Sequence, residues 1–408
     1  MPVKAYNPRW AHHQAMQAAA GTWQQRGLLT GPQLAAVQAA YPLDYYRPNI
    51  FLRVTLFLFT GLGTLAGSGF LGLFLYEGLF RESSSRQEEV LLVVTALLSA
   101  AACLFVLEAA IRSSRLYHSG VDNALLYATL GWLVFVVLYV TTSNTPVSYY
   151  GGFLLFSPYL TAALLLILAL LLAATSRYAD RLVAAAAYCT YLLLLANISL
   201  RIPGGRLLLP FVLMLASGGA YLLVRRLTHR PDYLYYKPCL TLLKALTLLT
   251  FYLGGNYWVV REGNGLLSDA PVSGQVPFAW VFYVFTAVIP VAYVVVGLRR
   301  FDRIWLWVGL LIVGFSLFTL RYYRSLLPPE VAATLAGSVL VATMLWVARY
   351  LRTPQHGLTA ASDGDEDNQK FNLESLIVAQ TATVPQPEAP GFQFGGGSSG
   401  GGGADGSY

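Results

Sequence analysis

A few polar and charged side chains interrupt the apolar stretches of this 408-residue sequence, and any chemistry must depend on them. The candidates for cavity-lining or functional roles are Lys244, Asn197, Glu108, Ser157 and Tyr257. Ionisable groups at membrane depth often mark a substrate or ion pathway. Asn and Ser side chains in apolar helices also form ordinary hydrogen bonds between helices. The sequence leaves both interpretations open.

The two charged candidates lie near the ends of their apolar stretches. Lys244 lies six residues inside its stretch, which corresponds to about 9 Å of helix at 1.5 Å per residue. A lysine side chain can extend along apolar surface to reach the lipid headgroups, so we expect Lys244 to do this. Arg112 follows Glu108 by one helical turn, and we expect these two to form an i,i+4 pair at the membrane surface.

Motifs of catalysis and of metal binding are absent from the sequence. It contains no HExxH and no GxSxG segment, and its five histidines fall in predicted loops or termini. Cys103, Cys189 and Cys239 lie in or beside apolar segments without a close pair, as small core residues do. We therefore predict no enzymatic activity, no cofactor and no metal site.

Long apolar stretches are the elements that must position these side chains. The chain is 56% hydrophobic and only 12% charged, against about 25% charged residues in soluble domains. About 20 apolar residues match the hydrocarbon thickness of a bilayer, and in lipid a helix satisfies all its backbone polar groups internally. We predict an all-α polytopic transmembrane bundle of about ten spans, with a bilayer as its surroundings. The predicted spans are 54–76, 90–111, 121–142, 152–174, 179–200, 205–224, 239–260, 276–298, 304–320 and 328–350.

Basic residues at the span ends predict the orientation. One side of the predicted bundle collects about twice as many Lys and Arg residues as the other, and the richer side is normally cytoplasmic. This distribution also accounts for the net charge of +7 without any nucleic-acid partner. We predict a multi-pass protein of the cell inner membrane with both termini in the cytoplasm.

The two ends of the chain differ from the body. Residues 1–50 predict a cytosolic helical hairpin and an interfacial connector, with a first helix over 8–26 that stops near Gly27. Thr30 and Gln33 have the spacing of a capping box, and apolar residues would close the hairpin: Trp23, Leu28, Leu29, Leu34 and Val37. The body occupies 51–352. Residues 353–408 are acidic and then Gly/Ser-rich, a composition typical of disorder, and their short apolar island at 371–378 could bind a partner.

Glycines are concentrated in the first span. Gly63 and Gly67 form a GxxxG step, which favours close helix packing. A locally unwound helix that lines a substrate path is the alternative.

The N-terminal pattern is similar to that of a group of bacterial multi-pass membrane proteins defined by a domain of unknown function. The resemblance covers about the first 75 residues. The residues that carry it are Trp23, Gly27, Leu28, Leu29, Thr30, Gln33, Gly61, Gly63, Gly67, Gly69 and Gly72. It implies a helical membrane body with a cytosolic N-terminal hairpin, and it brings no known activity.

Three functions remain, of which an intramembrane enzyme is the least favoured by the sequence. The first is a non-catalytic membrane module, acting as a sensor, a scaffold or a complex subunit through residues 1–50 or 371–378. The alternative is a secondary transporter of a neutral or apolar small molecule, which the number of spans and Pro290 within a span favour. The oligomeric state is left open by the sequence.

Overall fold

The computed structural model describes residues 4–79, 85–144, 157–267 and 275–323, together with isolated positions between 334 and 349. These residues form helices and connecting loops and contain no strand. The helices are α1 Pro8–Gln25, α2 Gly31–Ala40, α3 Ile50–Leu79, α4 Ser85–Ser114, α5 Val121–Ser143, α6 Pro158–Tyr178, α7 Arg181–Arg201, α8 Gly205–Leu227, α9 Tyr233–Gly255, α10 Tyr257–Leu267, α11 Ala279–Arg299 and α12 Arg303–Tyr323.

Eight of these helices are long and apolar enough to cross a membrane: α3 to α9, and α11. Helix α12 contains a shorter apolar stretch, Arg303–Thr319. The all-helical class is confirmed for the described residues, and eight such helices are compatible with a multi-pass membrane protein. Nine of the ten predicted spans coincide with α3 to α9, α11 and α12. The tenth, 328–350, falls almost wholly outside the described residues, as do the tail 353–408 and its island 371–378.

Helix α9 connects two apolar cores. Its first turns contribute Tyr235 and Cys239 to a core shared with α4, α5, α6 and α7. Its later turns contribute Leu248 and Tyr252 to a second core with α8, α11 and α12. A helix that packs on both sides fixes the two halves of the bundle relative to each other.

The predicted span 239–260 is wrong at its C-terminal end. Helix α9 stops at Gly255, and Asn256 begins the separate helix α10 by accepting hydrogen bonds from the backbone N–H groups of Trp258 (3.0 Å) and Val259 (3.2 Å). Asn favours this capping role because its side-chain oxygen replaces a missing helical acceptor. The helix is therefore interrupted inside a stretch whose composition predicts a continuous helix.

Helix α3 lies at the edge of the bundle and contacts α4 and α5. A Cβ added at Gly72 would approach the Thr95 Cγ2 atom of α4 at 3.5 Å. No atom of the described residues lies within 4 Å of a Cβ added at Gly63 or Gly67. Within the described part of the chain these two glycines therefore face away from α4 and α5, and close packing at them stays a prediction.

Candidate functional site at the docked N-terminus

A buried carboxylate holds the start of the chain on the helical bundle. Asp122, in the first turn of α5, is 0% exposed. Its Oδ2 atom accepts hydrogen bonds from the Tyr6 hydroxyl at 2.6 Å and from the His118 backbone N–H at 2.8 Å. Its Oδ1 atom accepts from the backbone N–H (2.8 Å) and the hydroxyl (3.0 Å) of Ser119. Four donors satisfy a buried carboxylate, so this group is an anchor rather than a free base.

The loop between α4 and α5 presents those donors through an unusual backbone. His118 has a φ of 48°, in the left-handed region that His and Asn tolerate, and Gly120 has a φ of 102°, which only glycine adopts without strain. A Cβ at Gly120 would also lie 2.3 Å from the carbonyl oxygen of Arg53. The loop therefore requires glycine at this position to bring α3 and α5 together.

Backbone hydrogen bonds attach residues 4–47, which we call the N-terminal segment, to the same end of the bundle. The Ala5 N–H donates to the Arg177 carbonyl at 3.0 Å. The Tyr46 N–H donates to the Arg115 carbonyl at 3.0 Å, and the Tyr46 carbonyl accepts from the Tyr117 N–H at 3.3 Å. The beginning of the segment is thus fixed to the last turn of α6, and its end is fixed to the loop between α4 and α5.

Side chains add to this attachment. Tyr6 is 2% exposed, and its ring packs edge-on against Tyr117 with a centroid distance of 5.3 Å. Lys4 forms an ion pair with Asp232 at 2.7 Å and lies 5.1 Å from the centre of the Tyr235 ring. The segment therefore contacts the α4–α5 loop and the start of α9 together.

Burial alters the protonation of two groups at this contact. Burial, and then the neighbouring Asp122, raise the pKa of Tyr6 well above its usual value, so the hydroxyl remains a donor. Burial lowers the pKa of His118, with Arg47 and Arg181 acting in the same direction and Asp122 and Asp180 opposing them. His118 is therefore neutral at pH 7 in the folded protein.

A second buried carboxylate, Asp180, caps helix α7. It accepts from the backbone N–H groups of Leu182 (2.9 Å) and Val183 (3.0 Å). It also accepts from the Asn123 amide at 2.7 Å and the Tyr127 hydroxyl at 3.0 Å. This carboxylate ties α5 to α7 and is fully satisfied in the same way as Asp122.

Glu108 forms the predicted i,i+4 ion pair with Arg112, but a second arginine lies closer to it. Arg112 lies 3.9 Å away, whereas Arg177 of α6 donates to the Glu108 Oε1 atom from Nη2 at 2.7 Å and from Nε at 2.9 Å. The Tyr178 hydroxyl donates to the same oxygen at 2.5 Å. Helix α6 supplies the stronger partners because its last turn lies beside α4, and a contact between distant positions is not visible in an i,i+4 pattern.

The expectation that Lys244 ends among lipid headgroups is wrong. Its Nζ atom forms an ion pair with Asp302, in the loop between α11 and α12, and the two side chains are 22% and 25% exposed. Asp302 also accepts from the backbone N–H of Ile304 at 3.1 Å, at the start of α12. The lysine extends to a neighbouring loop whose carboxylate satisfies its charge.

Asn197 and Ser157 come together, but they serve helix packing. Asn197 is 2% exposed and accepts from the Thr161 hydroxyl at 2.5 Å, while Arg201 donates to it at 3.3 Å. Its amide lies 3.5 Å from the Ser157 carbonyl, and the Ser157 hydroxyl accepts from the Tyr159 N–H at 3.2 Å. These contacts join the start of α6 to the end of α7, and neither residue lines the two cavities described below.

Tyr257 lies at the break between α9 and α10. It is 1% exposed, its N–H donates to the Thr286 hydroxyl at 3.0 Å, and its ring packs on Tyr283 at 4.3 Å. The neighbouring Asn256 donates to the Tyr252 hydroxyl at 2.8 Å and to the Thr319 hydroxyl at 3.0 Å. The break is thus surrounded by uncharged, hydrogen-bonded groups from α9, α11 and α12.

Two of the cavities among the described helices have a defined lining. One, of about 390 Å³, lies between α4, α5 and α6 and reaches Glu108, Arg112 and Arg177. The other, of about 200 Å³, lies between α8, α9 and α10 and is lined mainly by apolar residues. Within the described ranges, no three His, Cys, Asp or Glu side chains are grouped as a metal site would require.

Comparison with known proteins finds no matching family model, no matching curated protein and no matching solved structure.

Sequence reasoning missed the residues that hold the N-terminal segment. Asp180 is the N-cap residue of α7, and Asp122 lies in the first turn of α5; acidic residues are favoured at both kinds of position. That signal could have identified the two carboxylates as helix-start anchors. No local pattern indicates Tyr6, which pairs with Asp122 across 116 residues.

Proposed function

We propose that this protein is a non-catalytic membrane module, a sensor, scaffold or complex subunit, in which the N-terminal segment receives a protein partner. In the proposal the protein lies in the cell inner membrane with both termini in the cytoplasm. Residues 1–50 form the cytosolic part.

The observation that carries the proposal is an apolar surface at the turn between α1 and α2. Trp23 is 51% exposed and Leu28 is 69% exposed, although both are expected from the sequence to close a hairpin. Both precede the first candidate membrane helix, Ile50–Gly78. Aromatic residues are enriched in protein interfaces relative to the rest of the protein surface.

The attachment of the segment supports the same proposal. A partner bound at the turn would act on a segment that is fastened through Tyr6 to Asp122 and through Ala5 to the last turn of α6. Force or altered packing at the turn would therefore be transmitted to α5 and α6. The buried carboxylates at this end are fully hydrogen-bonded, which favours a structural role over a catalytic one.

The test is quantitative co-purification after cross-linking in intact cells. The variant Trp23→Ser/Leu28→Ser should lose a stoichiometric partner protein while it keeps its own expression and elution volume. Leu43→Ser is the matched control, because Leu43 is also an exposed apolar residue of the N-terminal segment (43% exposed). Equal recovery of every co-purifying protein from the wild type and the double variant would refute the proposal.

A secondary transporter of a neutral or apolar solute is the second candidate, and the helix break at Asn256 favours it. Broken helices beside a kinked helix often form transporter binding sites, and α11 contains Pro290. The test is uptake of neutral solutes into proteoliposomes. In this alternative, Asn256→Leu abolishes an uptake that the wild type shows, and an absence of uptake by the wild type contradicts it.

A further inference from the structure

The larger cavity combines an apolar body with a charged end. Its walls come from α4, α5 and α6 and include Leu104, Leu133, Leu170 and Ala173. A volume of about 390 Å³ falls in the range of ligand-sized sites, roughly 300–1,000 Å³. Such a space suits a hydrocarbon chain rather than a polar solute.

The charged end carries one excess positive charge. Glu108 is neutralised by Arg177, whose guanidinium lies 2.7 Å from its carboxylate. Arg112 is 3.9 Å from the other carboxylate oxygen, and its side chain is 79% exposed. The Arg112 guanidinium therefore retains N–H groups that can bind an anion, and arginine pairs strongly with phosphate.

The positions of the two arginines along their helices indicate which kind of anion they would meet. Arg112 lies two residues before the end of α4, and Arg177 lies one residue before the end of α6. Both helices are long and apolar enough to span a membrane, so their ends correspond to headgroup depth. Basic pockets between membrane helices at this depth bind anionic lipid headgroups.

We propose that this cavity between α4, α5 and α6, which we call the groove, is a binding site for an anionic phospholipid of the surrounding bilayer. One acyl chain lies along Leu133, Leu170 and Ala173, and the phosphate contacts the Arg112 guanidinium. The inference goes beyond the proposed function and does not depend on a partner at Trp23.

Native mass spectrometry of the full chain tests the proposal. The delipidated protein is mixed with equal amounts of phosphatidylglycerol and phosphatidylcholine that have the same acyl chains, and the bound lipids are counted. We expect phosphatidylglycerol to be preferred. Arg112→Gln should reduce that preference about fivefold, since one basic group near a membrane contributes on the order of this factor.

Two further variants distinguish the groove from general surface charge. Ala173→Phe places a ring in the groove from an exposed position on α6, and it should lower the occupancy of both lipids. Arg226→Gln removes an exposed arginine from the end of α8, and it should leave the preference unchanged.

Three results would overturn the proposal. Equal binding of the two lipids by the wild type would show that charge does not select the lipid. An unchanged preference for phosphatidylglycerol in Arg112→Gln would show that Arg112 does not bind the headgroup. Unchanged occupancy in Ala173→Phe would place the lipid elsewhere. Arg112→Gln alters an exposed side chain and should fold, so it decides the question even if Ala173→Phe does not fold.

Discussion

Removal of the Tyr6 hydroxyl should release the N-terminal segment from the bundle. Tyr6→Phe keeps the ring that packs on Tyr117 and deletes the 2.6 Å hydrogen bond to Asp122. A hydrogen bond to a charged acceptor contributes about 1.5–3 kcal/mol, and about 1.4 kcal/mol corresponds to a factor of ten in an equilibrium constant. The population of the detached segment should therefore rise about 10- to 150-fold.

Amide hydrogen exchange of the protein in detergent measures this population. Helix α1 should exchange faster by that factor in Tyr6→Phe, because its amides open when the segment detaches. The amides of α11, in the other half of the bundle, should exchange as in the wild type. Tyr41→Phe is the matched control, since the Tyr41 hydroxyl has no hydrogen bond among the described residues.

A double-mutant cycle completes the test. In an Asp122→Asn background the Tyr6→Phe change should have a smaller effect, since the charged acceptor is already gone. The reasoning is refuted if α1 exchanges at the wild-type rate in Tyr6→Phe, or if Tyr41→Phe accelerates it equally.

Three further outcomes follow from the same contacts. Lys244→Met or Asp302→Asn alone should lower the melting temperature in detergent, because each leaves a partly buried charge unpaired. The double variant should regain part of the lost melting temperature, with a coupling free energy of roughly 1–3 kcal/mol between the two sites. Protonation of His118 should weaken the docking of the N-terminal segment, because the pKa of His118 is lower in the folded protein than in the unfolded chain. The stability that His118 contributes is therefore present above pH about 6.5 and is lost as the pH falls towards the folded pKa. The hydrogen exchange of α1, corrected for intrinsic rates, should rise from pH 7.5 to 5.5. Gly254→Ala should cost about 1–3 kcal/mol of stability because its Cβ would lie 2.9 Å from Met214 Cγ, whereas Gly63→Ala should cost nothing measurable because its Cβ meets open space.

Each of these predictions has its own control. His118→Asn should remove the pH effect while it keeps the left-handed backbone, which Asn tolerates, and His12→Asn should not. Equal melting temperatures for the double variant and the less stable of its parents would contradict the ion-pair argument. A loss of stability in Gly63→Ala that equals that of Gly254→Ala would contradict the placement of α3 at the edge of the bundle.

The periodic and compositional features of the sequence predicted much of the fold. Long apolar runs account for nine helices at the predicted positions, because length and hydrophobicity alone decide whether a helix suits a bilayer. The first helix ends before Gly27, whose φ is 71°. The Thr30 N–H donates to the Gln33 side chain at 2.9 Å, as a capping box requires.

Contacts between distant positions could not be predicted from one sequence. The Glu108–Arg177 pair spans 69 residues, and the Lys244–Asp302 pair spans 58. Each depends on which helix ends lie side by side, and apolar composition carries no information about that arrangement. Local patterns favour an i,i+4 partner for Glu108 and a lipid headgroup for Lys244, and they do not indicate the closer partners Arg177 and Asp302.

The break at Asn256 shows a different limit. The stretch 239–260 is apolar enough to continue, and Asn has only a modest penalty within a helix. The hydrogen bonds from Asn256 to Tyr252 and Thr319 and from Tyr257 to Thr286 stabilise the interruption. These hydrogen bonds form only because α11 and α12 lie beside α9, so the interruption of the helix depends on tertiary contacts.

Site-specific photo-cross-linking in intact cells tests the central claim most directly. A photoreactive phenylalanine analogue replaces Trp23 in one strain and the exposed Arg9, in the first turn of α1, in another. The proposed membrane module predicts a discrete cross-linked protein band from position 23 and none of that mass from position 9. Cross-linking at position 23 to lipid alone, or the same band from both positions, would contradict the claim that the N-terminal segment receives a protein partner.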